Sequence, residues 1–332
     1  MTNQLNVVIE REHLTSEDFT REFYEPNQPI IIRSAAKNVP AYKTWTIQYL
    51  KNKIGKRIVK MGYSESGVFN FHKGEAKIVA LPFNEALNHM SDSKPYYISQ
   101  ASLEKTFPEL ASDLEDPKWI YTRDIGRSTN VWIGGGGCVS PLHFDTSHNF
   151  LVQIVGTKKI TLFSPSDSKY LYRGSRPGFF HVSEIDMSQL DQYPLYKYAN
   201  AYPLTLRAGD ILYIPLYWWH LVESIDMSVS VNYWWDRFEL VSGISLESVS
   251  GEQANSIIQS FLKGGTKIDQ KNANGESMLY KAFELGFLNF AEQLLMLGAD
   301  PDLECGVTKI ETPRHLAVEK GMDDLFTKTG SF

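Results

Sequence analysis

The sequence predicts a mainly β protein with flanking helices, followed by a small all-α piece. Three observations carry this. From about residue 119 to 236, short β-branched and aromatic runs alternate with Gly, Pro, Asn and Asp turns, which implies a closed or sandwich-like β architecture. The last run, Ser228–Trp235, alternates cleanly, with Val229, Val231, Tyr233 and Trp235 on one face and Ser228, Ser230, Asn232 and Trp234 on the other. From about residue 252 the pattern becomes helical and repetitive. The expected organisation is an N-terminal α/β region over 1–118, a β core over 119–250 and a helical region over 251–332.

At 332 residues the chain can bury a large core, and length alone suggests two domains. Hydrophobic content of 42% and charged content of 22% are those of an ordinary globular protein. A formal net charge of −6 argues against a dedicated polyanion binder. Cys138 and Cys305 fit no metal-pair spacing and suggest a reducing compartment, the cytoplasm or alternatively the nucleus or a host cytosol. The first residues lack a basic and then apolar secretion signal, and no apolar run is long enough to span a membrane.

In order along the chain, Thr15 reads as the N-cap of a helix over 13–25, which Pro26 and Pro29 end. Pro29–Arg33 is a short strand. Trp45–Ile54 reads as a helix with Trp45, Tyr49, Leu50 and Ile54 on one face. Lys51, Lys53, Lys56, Arg57 and Lys60 form a basic run, read first as a solvated helix end and second as an anion-facing patch. Pro95–Gln100 is a strand. The four glycines 134–137 permit a tight bend before the next strand, and they match no phosphate-loop pattern. Gly156-Thr157 reads as a hairpin turn between strands over 149–155 and 158–163. The polar, irregular stretch 166–202 is long enough to be an insertion covering a site. Gly209-Asp210 turns into Ile211–Pro215.

The stretch 140–158 carries the chemistry. His143 and Asp145 are two apart, so on a strand both side chains point to one face and can converge on one ion. His220, which ends another strand-like run, is the best third ligand. Two His and one carboxylate form a facial triad that suits non-haem Fe(II) and leaves coordination positions open. The remaining histidines, His13, His72, His89, His148, His181 and His315, read as core or surface residues, His148 being the closest rival because it follows the first ligand so soon.

His143-Phe-Asp145, Asn149, Gly156-Thr-Lys158, Gly209-Asp-Ile-Leu-Tyr-Ile-Pro215 and Trp218-Trp219-His220, in that order, resemble the JmjC family of 2-oxoglutarate-dependent oxygenases over roughly 20–236. The likeness is to its small hydroxylase branch, which includes asparaginyl, arginyl and wybutosine-tRNA hydroxylases. The resemblance implies a double-stranded β-helix, the cupin jelly roll, with Fe(II), 2-oxoglutarate and O2 as cofactor and co-substrates. It implies oxidation of a substrate C–H bond to an alcohol as 2-oxoglutarate is converted to succinate and CO2. The far carboxylate of that acid needs a cation in a dry pocket. Lys158 fits, because it shares a strand face with Ile160 and Leu162, where an unpaired ammonium is costly. The resemblance places Ser140 and Tyr97 as hydroxyl donors to that carboxylate, and Asn149 and Asn232 at the metal-proximal end. It makes Trp132 and Trp234 walls of the substrate pocket, with Gln100 as a polar contact; core packing is the other reading of each tryptophan.

The leading expectation is a protein hydroxylase. An N-methyl-lysine demethylase could use the same site, though no histone-reading module is visible. A tRNA hydroxylase is disfavoured by the negative charge, and an arginine target by the basic segment Lys56–Lys60. A rival from another class is a non-catalytic scaffold, against which the complete triad and Lys158 stand. In the C-terminal piece Leu262, Gly265 and Asp269 register with Leu295, Gly298 and Asp302, and Thr312-Pro-Arg-His-Leu-Ala317 resembles the start of an ankyrin repeat. About two such repeats would recruit the protein substrate. The alternative for this piece is a helical dimerisation element, which would make the protein a homodimer.

Overall fold

The structure, a computed structural model, describes residues 6–92, 95–120, 125–145, 147–174, 181–236, 250–263, 267–271, 275–306 and 310–330. The chain divides into two compact units, one of Met1–Thr122, Ser128–Tyr172 and His181–Trp235, the other of Arg123–Arg127, Arg173–Phe180 and Asp236–Phe332.

Thirteen strands appear among the described residues: β1 (Ile9–Arg11), β2 (Ile30–Ile32), β3 (Ile58–Tyr63), β4 (Lys77–Pro82), β5 (Tyr96–Ser102), β6 (Ile125–Gly134), β7 (Val139–Phe144), β8 (His148–Val155), β9 (Thr157–Phe163), β10 (Ala201–Arg207), β11 (Ile211–Ile214), β12 (Trp219–Ser224) and β13 (Ser228–Asp236). They form a nine-stranded sheet in the order β1-β2-β11-β8-β13-β6-β5-β3-β4 and a four-stranded sheet in the order β10-β9-β12-β7. Ile31, Leu151, Leu212 and Ile214 of the large sheet pack against Ile160, Leu162, Leu204 and Val222 of the small one. This is the mainly β architecture that the turn-rich pattern of 119–236 predicts, and the cupin-like jelly roll that the resemblance implies.

The other face of the large sheet is apolar too, which is why helices cover it. Val229, Val231, Tyr233 and Trp235 of β13 share a core with Phe19 and Phe23, with Leu50 and Ile54, and with Phe83 and Leu87. The strict period of two in β13 thus separates an apolar outer face from a polar inner one. Thr15 caps its helix as expected, its Oγ1 accepting the Asp18 N–H at 3.0 Å. Only Ser16–Phe19 is α-helical, and Thr20–Tyr24 continues as a wider π turn before Pro26. The basic run is largely paired: Lys53 meets Asp113, Arg57 meets Glu109 and Lys51 donates to Asn88. That favours the solvated-surface reading.

The connection at Gly156 differs from the predicted hairpin. β8 and β9 do not pair; β8 lies between β11 and β13, and β9 between β10 and β12. Gly156, at φ 75°, turns the chain from one sheet to the other. The corner is held by the neighbouring loop, where the Thr157 N–H donates to Asp226 at 2.7 Å and the Ile225 N–H donates to the Thr157 carbonyl at 2.9 Å. A Cβ on Gly156 would sit 2.2 Å from the Met227 carbonyl oxygen. Gly156→Ala is therefore expected to destabilise the first unit by more than the roughly 1–2 kcal/mol of left-handed strain alone. A urea titration followed by tryptophan fluorescence measures it.

The described part of the second unit contains the helices Gly251–Lys263, Met278–Leu285, Leu288–Met296, Pro313–Glu319 and Asp324–Thr329. Ser277 and Thr312 cap two of them, each hydroxyl accepting an N–H three residues on. Gly286 ends the Met278–Leu285 helix in the left-handed conformation. Asp269 accepts the Asp300 N–H at 2.8 Å, so the two segments that register in sequence also touch. Gly265, one of the registering residues, lies outside the described residues. Among the described residues no helix is long and apolar enough to cross a membrane.

Candidate active site

β7 and β12 are antiparallel neighbours, and His143 and His220 occupy directly facing positions. Their rings lie 4.1 Å apart between centroids. Asp145 follows β7, and its Oδ2 lies 3.6 Å from His220 Nε2. One ligand atom from each of His143, Asp145 and His220 falls within 4.8 Å of the others. Cross-strand pairing thus brings His220, the expected third donor, beside His143, just before a register shift in the pair.

The donor set fits a metal in its protonation as well as its spacing. His143 Nδ1 lies 2.7 Å from the Pro141 carbonyl, and His220 Nδ1 lies 2.9 Å from the Trp218 carbonyl. A carbonyl can only accept, so each Nδ1 carries the proton and each Nε2 keeps a lone pair for an ion. Burial, reinforced by neighbouring His220, pushes the His143 imidazole down to about 4, so it is neutral at pH 7. The Asp145 carbonyl accepts the Tyr217 N–H at 3.0 Å, and its carboxylate accepts the Trp234 indole N–H at 3.1 Å. Tyr217 sits at φ 68°, a conformation stored at functional sites when the surroundings over-determine it. His148 takes no part. It is buried, its Nδ1 lies 2.8 Å from the Tyr213 hydroxyl, and it stacks on Trp235.

The triad opens onto a cavity lined also by Tyr97, Ser140, Asn149, Lys158, Trp132, Asn232 and Trp234. Lys158 is 2% exposed and lies on the inward face with Ile160 and Leu162, as expected. Among the described residues its Nζ donates two long hydrogen bonds, to the Tyr97 hydroxyl at 3.4 Å and to Ser224 at 3.5 Å. Among the described residues no carboxylate pairs with it, and burial lowers its pKa to about 8. A buried ammonium without an acid is a site for an anionic ligand. Burial raises the Tyr97 phenol well above its usual range, so it is a neutral hydroxyl beside Ser140. Three further buried atoms along the cavity wall lack partners among the described residues: Asn149 Oδ1, Asn232 Nδ2 and Ser230 Oγ. Such groups cost stability unless a ligand completes them.

Gln100 is not among the cavity-lining residues. It is exposed, at φ 52°, where β5 bulges between Ile98 and Ala101. Only the resemblance places Gln100 in the pocket: alternation from Tyr97 reaches Ser99 and Ala101, and the register of β5 is irregular over these residues. Leu151, Ile214, Val222 and Ser230 line the cavity, and Ser224 reaches Lys158, none of them predicted as site residues. The same-face rule applied from His220 finds Val222 and Ser224, and applied from Asn232 finds Ser230.

Gly134 faces Tyr97 across the β5–β6 pair, and a Cβ there would lie 2.6 Å from the phenol ring. The glycine lets the hydroxyl reach Lys158. Gly134→Ala should displace the ring and weaken binding of the 2-oxo acid that the resemblance implies about tenfold or more without changing affinity for a divalent ion. Separate titrations of ion and acid check this.

A family model for the cupin-like domain matches residues 16–240. The chain is 32% identical over 242 residues to Lysine-specific demethylase JMJ30 of Arabidopsis thaliana, covering 69% of this chain and 55% of that protein. It is 31% identical over 237 residues to Lysine-specific demethylase 8 of Danio rerio, covering 68% and 58%. With tRNA wybutosine-synthesizing protein 5 of Homo sapiens it shares 29% identity over 255 residues, covering 71% and 79%. The chain spans little more than half the length of the two demethylases. The matched span takes in every strand from β2 to β13 and every residue that lines the cavity, and the chain belongs to the family of cupin-like domain proteins.

Proposed function

We propose that this protein is an Fe(II)- and 2-oxoglutarate-dependent oxygenase of the JmjC type that hydroxylates a protein side chain. One observation supports this above the rest: three metal donors and a buried, acid-free lysine face a single cavity. When bound, ferrous iron with 2-oxoglutarate and O2 supplies the oxidation of a C–H bond to C–OH, with release of succinate and CO2.

The chain's own residues hold and orient. His143 and His220 present Nε2 lone pairs, and Asp145 adds the negative charge that completes the facial set. The Lys158 ammonium binds the far carboxylate of the co-substrate, where low dielectric strengthens the pair. Tyr97 and Ser140 add neutral hydroxyls to it. Asn149 and Asn232 offer amides at the metal-proximal end. Leu151, Ile214 and Val222 keep water from the co-substrate's stem. Both cysteines are buried and unpaired, as a reducing compartment would leave them.

The decisive experiment incubates the purified protein with a lysate, Fe(II), 2-oxoglutarate and ascorbate, and seeks one-oxygen additions on peptides that a chelated control lacks. The names of the two demethylases favour a second reading, oxidation at an N-methyl group; loss of methyl-lysine with formaldehyde release would replace the hydroxylase by it. One-oxygen addition on tRNA would assign the site to the third relative's substrate class. The absence of succinate formation under every condition would leave a scaffold.

For the helical unit we propose two ankyrin-like repeats that capture the protein substrate. The matched caps at Ser277 and Thr312 and the Asp269–Asp300 contact support this. Removing residues 251–332 should weaken substrate capture at least tenfold, as losing a recruiting surface does, while sparing substrate-free 2-oxoglutarate turnover. Unchanged capture, measured by the peptide concentration at half-maximal hydroxylation, would end the recruitment idea.

A further inference from the structure

The two tryptophans that the sequence assigns to the pocket wall have their polar atoms committed elsewhere. The Trp234 indole N–H donates to Asp145 Oδ2 at 3.1 Å, the same oxygen that lies 3.6 Å from His220 Nε2. The Trp132 indole N–H donates to Asn232 Oδ1 at 2.7 Å. The two rings meet edge to face, 6.4 Å apart and 87° between planes. An indole nitrogen only donates, so it also decides which way its partner points. At Asn232 this leaves the carboxamide Nδ2 as the free end, buried, without a partner and on the cavity wall.

We propose that Trp132 and Trp234 are positioning residues: Trp234 sets the rotation of the Asp145 carboxylate, and Trp132 turns the Asn232 amide so that its N–H groups face the ligand. The Asn232 half rests on the oxygenase reading, since it needs an acid bound near the metal; the Asp145 half needs only the triad. The edge-to-face contact lets each ring brace the other. Trp234 lies directly opposite Asn149 on β8, so both indoles are fixed by the sheet that carries the amides. Outer groups of this kind govern how well ligands are presented, and their loss lowers metal affinity about 10–100-fold.

The test uses the full chain and Co(II), whose visible absorption reports ligand geometry, followed by calorimetric titration of 2-oxoglutarate into the Co(II)-loaded protein. Trp234→Phe is expected to weaken Co(II) binding about 10–100-fold and to alter its spectrum. Trp132→Phe is expected to leave both unchanged and to weaken 2-oxoglutarate binding about tenfold. Placing 3-benzothienylalanine at position 234 keeps the ring shape and removes only the N–H donor. It should reproduce the Trp234→Phe result even if the phenylalanine variant folds poorly. Wild-type affinity and spectrum with the isostere would show that packing alone matters and overturn the proposal. So would a Trp132→Phe change that falls on the metal instead of the acid. A wild-type protein that binds Co(II) but not 2-oxoglutarate would sink the oxygenase reading and the Asn232 half, while the Asp145 half would still stand or fall on the isostere.

Discussion

Replacing Lys158 by Met should abolish 2-oxoglutarate binding and, in the same protein, raise the stability of the ligand-free state. The lysine is fully buried without an acid, and its pKa of about 8 lies below the ordinary 10.5. That shift corresponds to about 3 kcal/mol of desolvation cost carried by the folded protein at neutral pH. Methionine fills a similar volume with no charge, so relief of that cost should appear as a rise of several degrees in melting temperature. The folded pKa lies below the unfolded one, so between about pH 8 and 10.5 the unfolded chain binds more protons than the native chain. The lysine's penalty is therefore complete below pH 8 and is relieved as pH rises through that window. Co-substrate affinity moves the opposite way. Binding needs the ammonium form, so the dissociation constant should rise about tenfold per pH unit above 8. Calorimetry in buffers of different ionisation heats would register the accompanying proton uptake. A variant that is destabilised and still binds the acid would remove Lys158 from the site.

His143→Ala should bring iron-dependent succinate formation to background. The substitution deletes one of three donors, a greater loss than the about 10–100-fold that follows removal of an outer partner. Burial and His220 hold the imidazole well below its ordinary pKa, so it is neutral at pH 7 and no proton on Nε2 competes with the ion. Co(II) titration and succinate release should fail together. Normal turnover by the variant would take His143 off the ligand set.

The sequence carried much of this site because strands impose a period of two. His143 with Asp145, Lys158 with Ile160 and Leu162, and the split faces of β13 all follow from that rule. Gln100, placed in the pocket by the resemblance alone, lies outside its lining where the β5 register is irregular, a feature that no local pattern announces. The Gly156 connection was misread for a related reason. A glycine between two strands marks a positive φ, but whether the strands then pair or part is decided by distant partners, here Asp226 and Ile225. The indole contacts to Asp145 and Asn232 join residues far apart in sequence and had no signature there.

The facing positions of His143 and His220 have a consequence for folding. These residues belong to strands separated by the whole of β8 to β11, so an ion gripped by both would act as a clasp across a long stretch of chain. Closing a long loop in this way reduces the freedom of the denatured ensemble as well as adding bonds to the native one. A divalent ion should therefore protect the amides of β7 and β12 from hydrogen exchange more than those of the distant β3–β4 pair, making the seam between the two strands the part of the barrel whose opening is governed by metal supply.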